Sequence, residues 1–226
     1  MNWSITAAMT LLVCVTTQAA ELNLGYDSKY ISEGRQNIDG GIFWLGAAST
    51  LTDALTLSAT YGVAAESQDD YDELDLGIEY AVEFGELSTY VGYNRLEFIR
   101  DSLSDNELSA GIAYGGLDWF EPFTTYVYST QANGSFVELG IQRRFSVTSK
   151  LDITPYFMAA FDYGYASPAH DGSNHTTFGA CAEYQLSPQW ALNLIAEHQQ
   201  GHKDVHLDVG DDDSHYWMGV HLITNF

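Results

Sequence analysis

Apolar and polar residues alternate with a period of two along most of this chain, and the alternation is regular enough to assign faces. In the last stretch, Tyr216, Met218, Val220, Leu222, Thr224 and Phe226 share one parity, while Trp217, Gly219, His221, Ile223 and Asn225 share the other. The same rhythm predicts twelve short strands at about 22–29, 41–51, 54–64, 73–83, 87–97, 106–115, 122–130, 135–146, 151–165, 176–186, 190–200 and 215–226. Tight connections (Thr52-Asp53, Phe84-Gly85-Glu86, Ser187-Pro188-Gln189) alternate with longer polar links at 66–72, 100–105, 166–175 and 201–214. An even strand count, sorted loops and both ends on the short-turn side predict an all-β fold: an antiparallel, up-and-down transmembrane β-barrel.

One face carries Leu74, Leu76, Ile78, Tyr80 and Val82, then Leu108, Ala110, Ile112 and Tyr114, then Val137, Leu139 and Ile141. The opposite parity carries Asp75, Glu79, Glu107, Glu138, Asp152, Asp162, Glu183 and Glu197, interleaved with glycines such as Gly62, Gly77, Gly111, Gly140 and Gly179. Small inward residues suit a narrow, strongly coiled sheet. A soluble sandwich would bury the apolar face and solvate the acids. Aromatics at strand ends on the apolar face (Phe43, Tyr61, Tyr93, Tyr163, Tyr184, Trp190, Tyr216, Phe226) instead suit the two interfaces of a membrane. Arg143 falls on this lipid-facing parity, near the short-turn end of its strand, where its stem can snorkel.

The chain ends in mid-strand on Phe226, an edge that a closed barrel removes by pairing its last strand with its first. This suffix resembles that of bacterial outer-membrane β-barrel proteins. The resemblance implies a Gram-negative outer membrane, lipid contact, and Phe226 as the signal read by the outer-membrane assembly machinery. Residues 1–20 are apolar and end in Thr17-Gln18-Ala19-Ala20, as a signal peptide cleaved after Ala19 or Ala20 would, leaving the barrel as 21–226. Cys14 raises a lipoprotein alternative, against which stands the bulky Val13 before it. Asp27-Ser28-Lys29-Tyr30-Ile31-Ser32-Glu33-Gly34-Arg35-Gln36-Asn37 resembles the opening Ser-x-Tyr-x-x-Arg-Gly-x-Ser of an uncharacterised proteobacterial outer-membrane family: Ser28, Tyr30 and Gly34 match, and Glu33 stands where that family has Arg. Read from its residues alone, the segment is an extracellular loop with a glycine turn and an arginine paired to neighbouring acids.

Eight basic against 31 acidic side chains give a net charge of -23, with 46% hydrophobic residues. Such a surface repels phosphate backbones and excludes nucleic-acid binding, while the hydrophobic content argues against disorder. Beyond the signal segment only Cys181 remains, which excludes an internal disulfide. No cofactor motif stands out.

Three constellations carry candidate chemistry. Asp75, Glu79, Glu138, Asp162, Glu183 and Glu197 line the lumen, with Arg144 as its chief base. Such a lining makes a porin-like passive channel for small solutes with a cation-preferring bore, or else a satisfied network in a closed structural barrel. In the penultimate link His202, Asp204, His206 and Asp208 alternate, followed by Asp211-Asp212-Asp213. Were that loop to continue as strand, one side of it could hold a divalent cation; otherwise it is a solvated surface loop. A hydrolase at the rim could use Ser214 with His198 or His215, or Asp204 with His206, but no spaced nucleophile motif is present, and the expectation is a protein that is not an enzyme.

Overall fold

The computed structural model describes residues 20–66, 70–168, 171–209 and 213–226. The expected signal segment up to Ala19, as well as His170, Asp211 and Asp212, lies outside them, as does the side chain of Asp208. Strands β1 (Ala20–Asp27), β2 (Ile42–Thr52), β3 (Leu55–Ala64), β4 (Asp72–Phe84), β5 (Leu87–Phe98) and β6 (Leu103–Tyr114) make the first half of a closed sheet. The second half is β7 (Glu121–Ser129), β8 (Gly134–Gln142, resuming as Phe145–Thr148), β9 (Leu151–Tyr163), β10 (Asp171–Gln185), β11 (Trp190–Gly201) and β12 (Ser214–Asn225). Every neighbour pairs antiparallel, and β12 closes on β1 with Leu222 opposite Leu24, giving the expected 12-strand barrel. Phe226 donates its N–H to the carbonyl of Ala20 at 3.1 Å, so the seam is bonded to the last residue.

The exposed face is the apolar one. Leu108 is 53% exposed and its neighbour Glu107 only 5%, an alternation that makes sense only with lipid outside and a polar lumen within. Several inward glycines have a specific cause. The rings of Trp44, Tyr90, Phe123 and Tyr156 lie flat across Gly62, Gly111, Gly140 and Gly179 of the adjacent strand, where a Cβ would collide with them. Inward aromatics thus lie along the wall and leave the bore clear.

β8 breaks at Arg143-Arg144 because the residue facing it on β9 is Pro155. Its carbonyl still accepts the Arg143 N–H at 3.2 Å, but the ring has no N–H to return. Arg143 ends at the short-turn side, its guanidinium donating to the Leu117 carbonyl at 3.4 Å.

The loops are less neatly sorted than the alternation suggests. β5–β6 and β7–β8 join through tight outer turns at 99–102 and 130–133, with Ser102 and Asn133 at positive φ (52° and 54°). The long outer connections gather where β1, β9 and β11 end. β10 begins at Asp171, within what reads as loop, because its first residues are polar yet inward. Asn174 and Thr177 are fully buried there and His175 nearly so.

Two segments cover the outer end of the lumen. Residues 28–41, expected as a solvated extracellular loop, instead fold inward as a small hairpin (Ile31–Ser32 paired with Arg35–Gln36), with Tyr30, Ile31, Ser32, Glu33, Arg35 and Ile38 all buried. In the penultimate link, Lys203–Val209 is a helix, α1, rather than a continuation of the strand. Tyr71 packs against both Tyr30 and Phe98, joining the apolar cluster of Tyr30, Ile38 and Ile42 to that of Leu96, Phe98, Val127 and Phe136.

Candidate functional site: the lumen

The hairpin turns at Glu33-Gly34, both with positive φ (46° and 78°), the two-residue geometry that matches strand twist. Gly34 is needed twice, since a Cβ there would also press on Val205 of α1 and His175 of β10. A glutamate in this left-handed region carries backbone strain, so something must hold it. Ser32 donates to its carboxylate, and Arg35 donates to its carbonyl at 2.8 Å. Burial holds the Glu33 carboxyl well above the ordinary glutamate range, and Glu107 and Glu138 nearby reinforce the shift.

Arg35 also pairs with Asp204 of α1 at 3.3 Å, both side chains buried, and Asn174 donates to the same Asp204 oxygen. The arginine is therefore paired as its sequence context suggests, but with an acid 169 positions away instead of a neighbour. This latch joins the two ends of the barrel sequence over the lumen.

The seven residues expected to line the lumen divide into three groups. Glu138, Asp162 and Glu197 are locked. Glu138 accepts from Thr125 at 2.9 Å. Asp162 takes the backbone N–H groups of Tyr165 and Ser167, each at 2.7 Å. Glu197 takes the Trp217 indole at 3.0 Å, Gln199 at 3.3 Å and the Tyr156 hydroxyl. Glu73 and Glu107, on the same inner face, are held by phenols: Glu73 by Tyr30 (2.7 Å) and Tyr71, Glu107 by Tyr165. Arg144 sits at the short-turn mouth, 2.6 Å from Asp152 and 3.9 Å from Glu183.

Asp75, Glu79 and Glu183 form the third group and line an open cavity of about 300 Å³. It runs from Gln185, Pro188 and Asn225 near the short turns to Lys29, Tyr30 and Ile31 beneath the hairpin. Asp27 also lines it, accepting from the Trp44 indole at 2.7 Å and bonded to His221 at 3.0 Å. Cross-strand register places Asp152, Glu183, Asn193, His221, Gly25, Trp44, Gly62 and Glu73 in one inward row. Because barrel strands tilt, that row climbs from the short-turn mouth to the outer end. A solute moving along it passes carboxylates, an amide, an imidazole and an indole.

The alternating His/Asp group is not assembled. Residues two apart on a helix diverge by about 200°. Asp204 turns inward to Arg35, His206 stays exposed 3.6 Å from Asp213, and His202 meets Ser173 on β10. Among the described residues no three His, Cys, Asp or Glu side chains are placed to share a metal ion. His198 and Ser214 do meet, Nε2 to Oγ at 3.2 Å, on the lipid-facing side, with His198 also against the Tyr216 ring at 4.1 Å. His215 faces inward, away from that pair.

The hairpin and latch escape a reading of strand periodicity. The available signals are Glu33-Gly34 between short alternating runs and the apolar Tyr30, Ile31 and Ile38 in a segment otherwise polar.

No curated protein matches the chain. Among solved structures it is similar to the KdgM porin, with a TM-score of 0.63 at 12% identity over 91% of this chain and 99% of that one. It is also similar to the NanC porin (TM-score 0.61, 9% identity, 92% and 100% covered). An outer membrane channel from Pseudomonas putida F1 aligns with a TM-score of 0.53 at 8% identity over 94% and 97%. At such identities these likenesses speak for the fold. The sequence itself matches the Gram-negative porin family over residues 8–204, and with the closed barrel, apolar outer face and polar bore this places the chain in that family, as an outer-membrane channel for small solutes.

Proposed function

We propose that this porin prefers cations. The observation that carries the reading is where its few bases lie. Of eight Lys and Arg, only Lys29 lines the cavity, which also bears Glu21, Asp27, Asp75, Glu79, Glu107 and Glu183. Arg35 is neutralised by Asp204, Arg144 is shared between Asp152 and Glu183 at the mouth, and Arg95 pairs with Glu97. Carboxylate fields overlapping in a narrow bore with low-dielectric walls concentrate cations and repel anions. In planar bilayers with a KCl gradient the expected reversal potential has the sign of K⁺ preference, shrinking toward ~1 M salt, where the Debye length is ~3 Å. Chloride preference at low salt overturns the reading.

Two further roles belong to it. A signal peptide over residues 1–20 directs export and leaves 21–226 as the barrel. Phe226, at the seam, is the residue for the assembly machinery to recognise. Its deletion is expected to reduce the heat-modifiable barrel form in outer membranes, and undiminished accumulation would count against this role.

A further inference from the structure

Two buried acceptors lining the cavity have no donor. Asp75 Oδ1 on β4 and Asn193 Oδ1 on β11 are both without a hydrogen-bond partner, and Asn193 is only 3% exposed. They lie on nearly opposite strands at different heights, Asn193 close to the short-turn start of β11 and Asp75 close to the outer start of β4. Buried acceptors left unmade are costly, so both oxygens call for donors from something inside the cavity. Glu79 and Glu183 add negative charge to the same space, and Trp44, Tyr90 and Trp217 contribute aromatic surface to its wall.

Acceptors, negative charge and aromatic faces together select for a positive charge on a carbon body. A bare metal ion would want several converging carboxylates or imidazoles, and no such group is present among the described residues. The volume, about 300 Å³, lies at the small end of the range for sites that bind organic molecules.

We propose that the cavity is a binding station for a small organic cation bearing N–H donors, an ammonium or guanidinium on a short carbon chain, which is held in turn at Asn193 and at Asp75 on its way through. This rests on the cation-preferring reading above and names the class of solute.

The test uses the full-length protein in planar bilayers in KCl, with 1,4-diaminobutane as a cation rich in N–H and tetramethylammonium as one with none. The diamine is expected to interrupt the K⁺ current at a concentration at least about tenfold lower, the worth of one hydrogen bond to a charged group. Asn193→Leu removes one acceptor without changing the net charge. It should raise the half-blocking concentration of the diamine by a similar factor. Should that variant not assemble, Asn193→Asp keeps the shape and adds charge, and is expected to lower the half-blocking concentration. Equal block by the two cations, or block indifferent to residue 193, overturns the binding station while leaving cation preference standing. Chloride preference fells the reading beneath it. If the barrel passes no current, Trp44 and Trp217 fluorescence in detergent decides binding: a response to the diamine and not to tetramethylammonium supports the station, and an equal or absent response overturns it.

Discussion

The two walls of this lumen are built from the same residue type and do opposite things. On one, Glu138, Asp162 and Glu197 are saturated by hydroxyls, backbone amides and an indole. On the other, Asp75 and Glu79 of β4 line the open cavity and one Asp75 oxygen has no hydrogen-bond partner; Glu183, on β10 between two strands that carry locked acids, lines the same cavity 3.9 Å from Arg144. Both sets lie on the inward parity of their strands and look alike in sequence. The difference lies in what each meets across the bore. The locked acids stand among Tyr156, Trp217, Thr125 and the chain turning at 164–167, whereas Asp75 and Glu79 stand beside Gly77, Gly92 and small hydroxyl residues. An inward carboxylate therefore becomes a strut or a charge in the pathway according to the donors in reach.

The largest expected effect separates the walls by stability. Glu197→Leu strands the donors of Tyr156, Trp217 and Gln199 in a buried site, at a cost of roughly 2–4 kcal/mol. Glu79→Leu strands none and should stay within about 1 kcal/mol of the parent. Urea unfolding of the barrel in lipid vesicles, followed by tryptophan fluorescence, reads both, and equal losses would erase the distinction.

Strand number, parity and the lipid-facing side were legible because period-two alternation survives any tertiary detail: Leu108 beside Glu107 reads correctly without a neighbour in view. Inward glycines were legible as a parity, but not as the seats of aromatic rings, since Trp44 and Gly62 meet only across strands. The hairpin was not legible because its burial depends on α1, more than a hundred residues on. The helix was hidden for a related reason. Val205, Leu207 and Val209 alternate as a strand would, yet adjacent Asp204 and Val205 are both fully buried, facing Arg35 and Gly34. Consecutive residues can share an inward side on a helix and not on a strand of regular pleat. Docking overrides local pattern here.

A smaller effect concerns the hairpin, which roofs the open wall. Burial raises the Glu33 carboxyl above its ordinary value, so the docked hairpin holds the proton more tightly than a free one. Its contribution to docking is then fully present below the ordinary glutamate value of about 4.3 and is lost as pH rises through the raised one. Hydrogen exchange at the amides of Ile31–Gln36 should accelerate with pH beyond the intrinsic chemical trend, and Glu33→Gln should flatten that excess. Excess protection growing with pH would reverse the sign of the argument.

The central claim is that charge selection belongs to Asp75, Glu79 and Glu183 and not to the locked acids. It is tested most directly by the reversal potential across a KCl gradient at neutral pH for two sets of neutralising substitutions. Asp75→Asn/Glu79→Gln/Glu183→Gln is expected to lose most of the K⁺ preference, while Glu138→Gln/Glu197→Gln, in barrels that still insert, is expected to keep it. Loss of preference in the second set, with the first unchanged, would contradict the account.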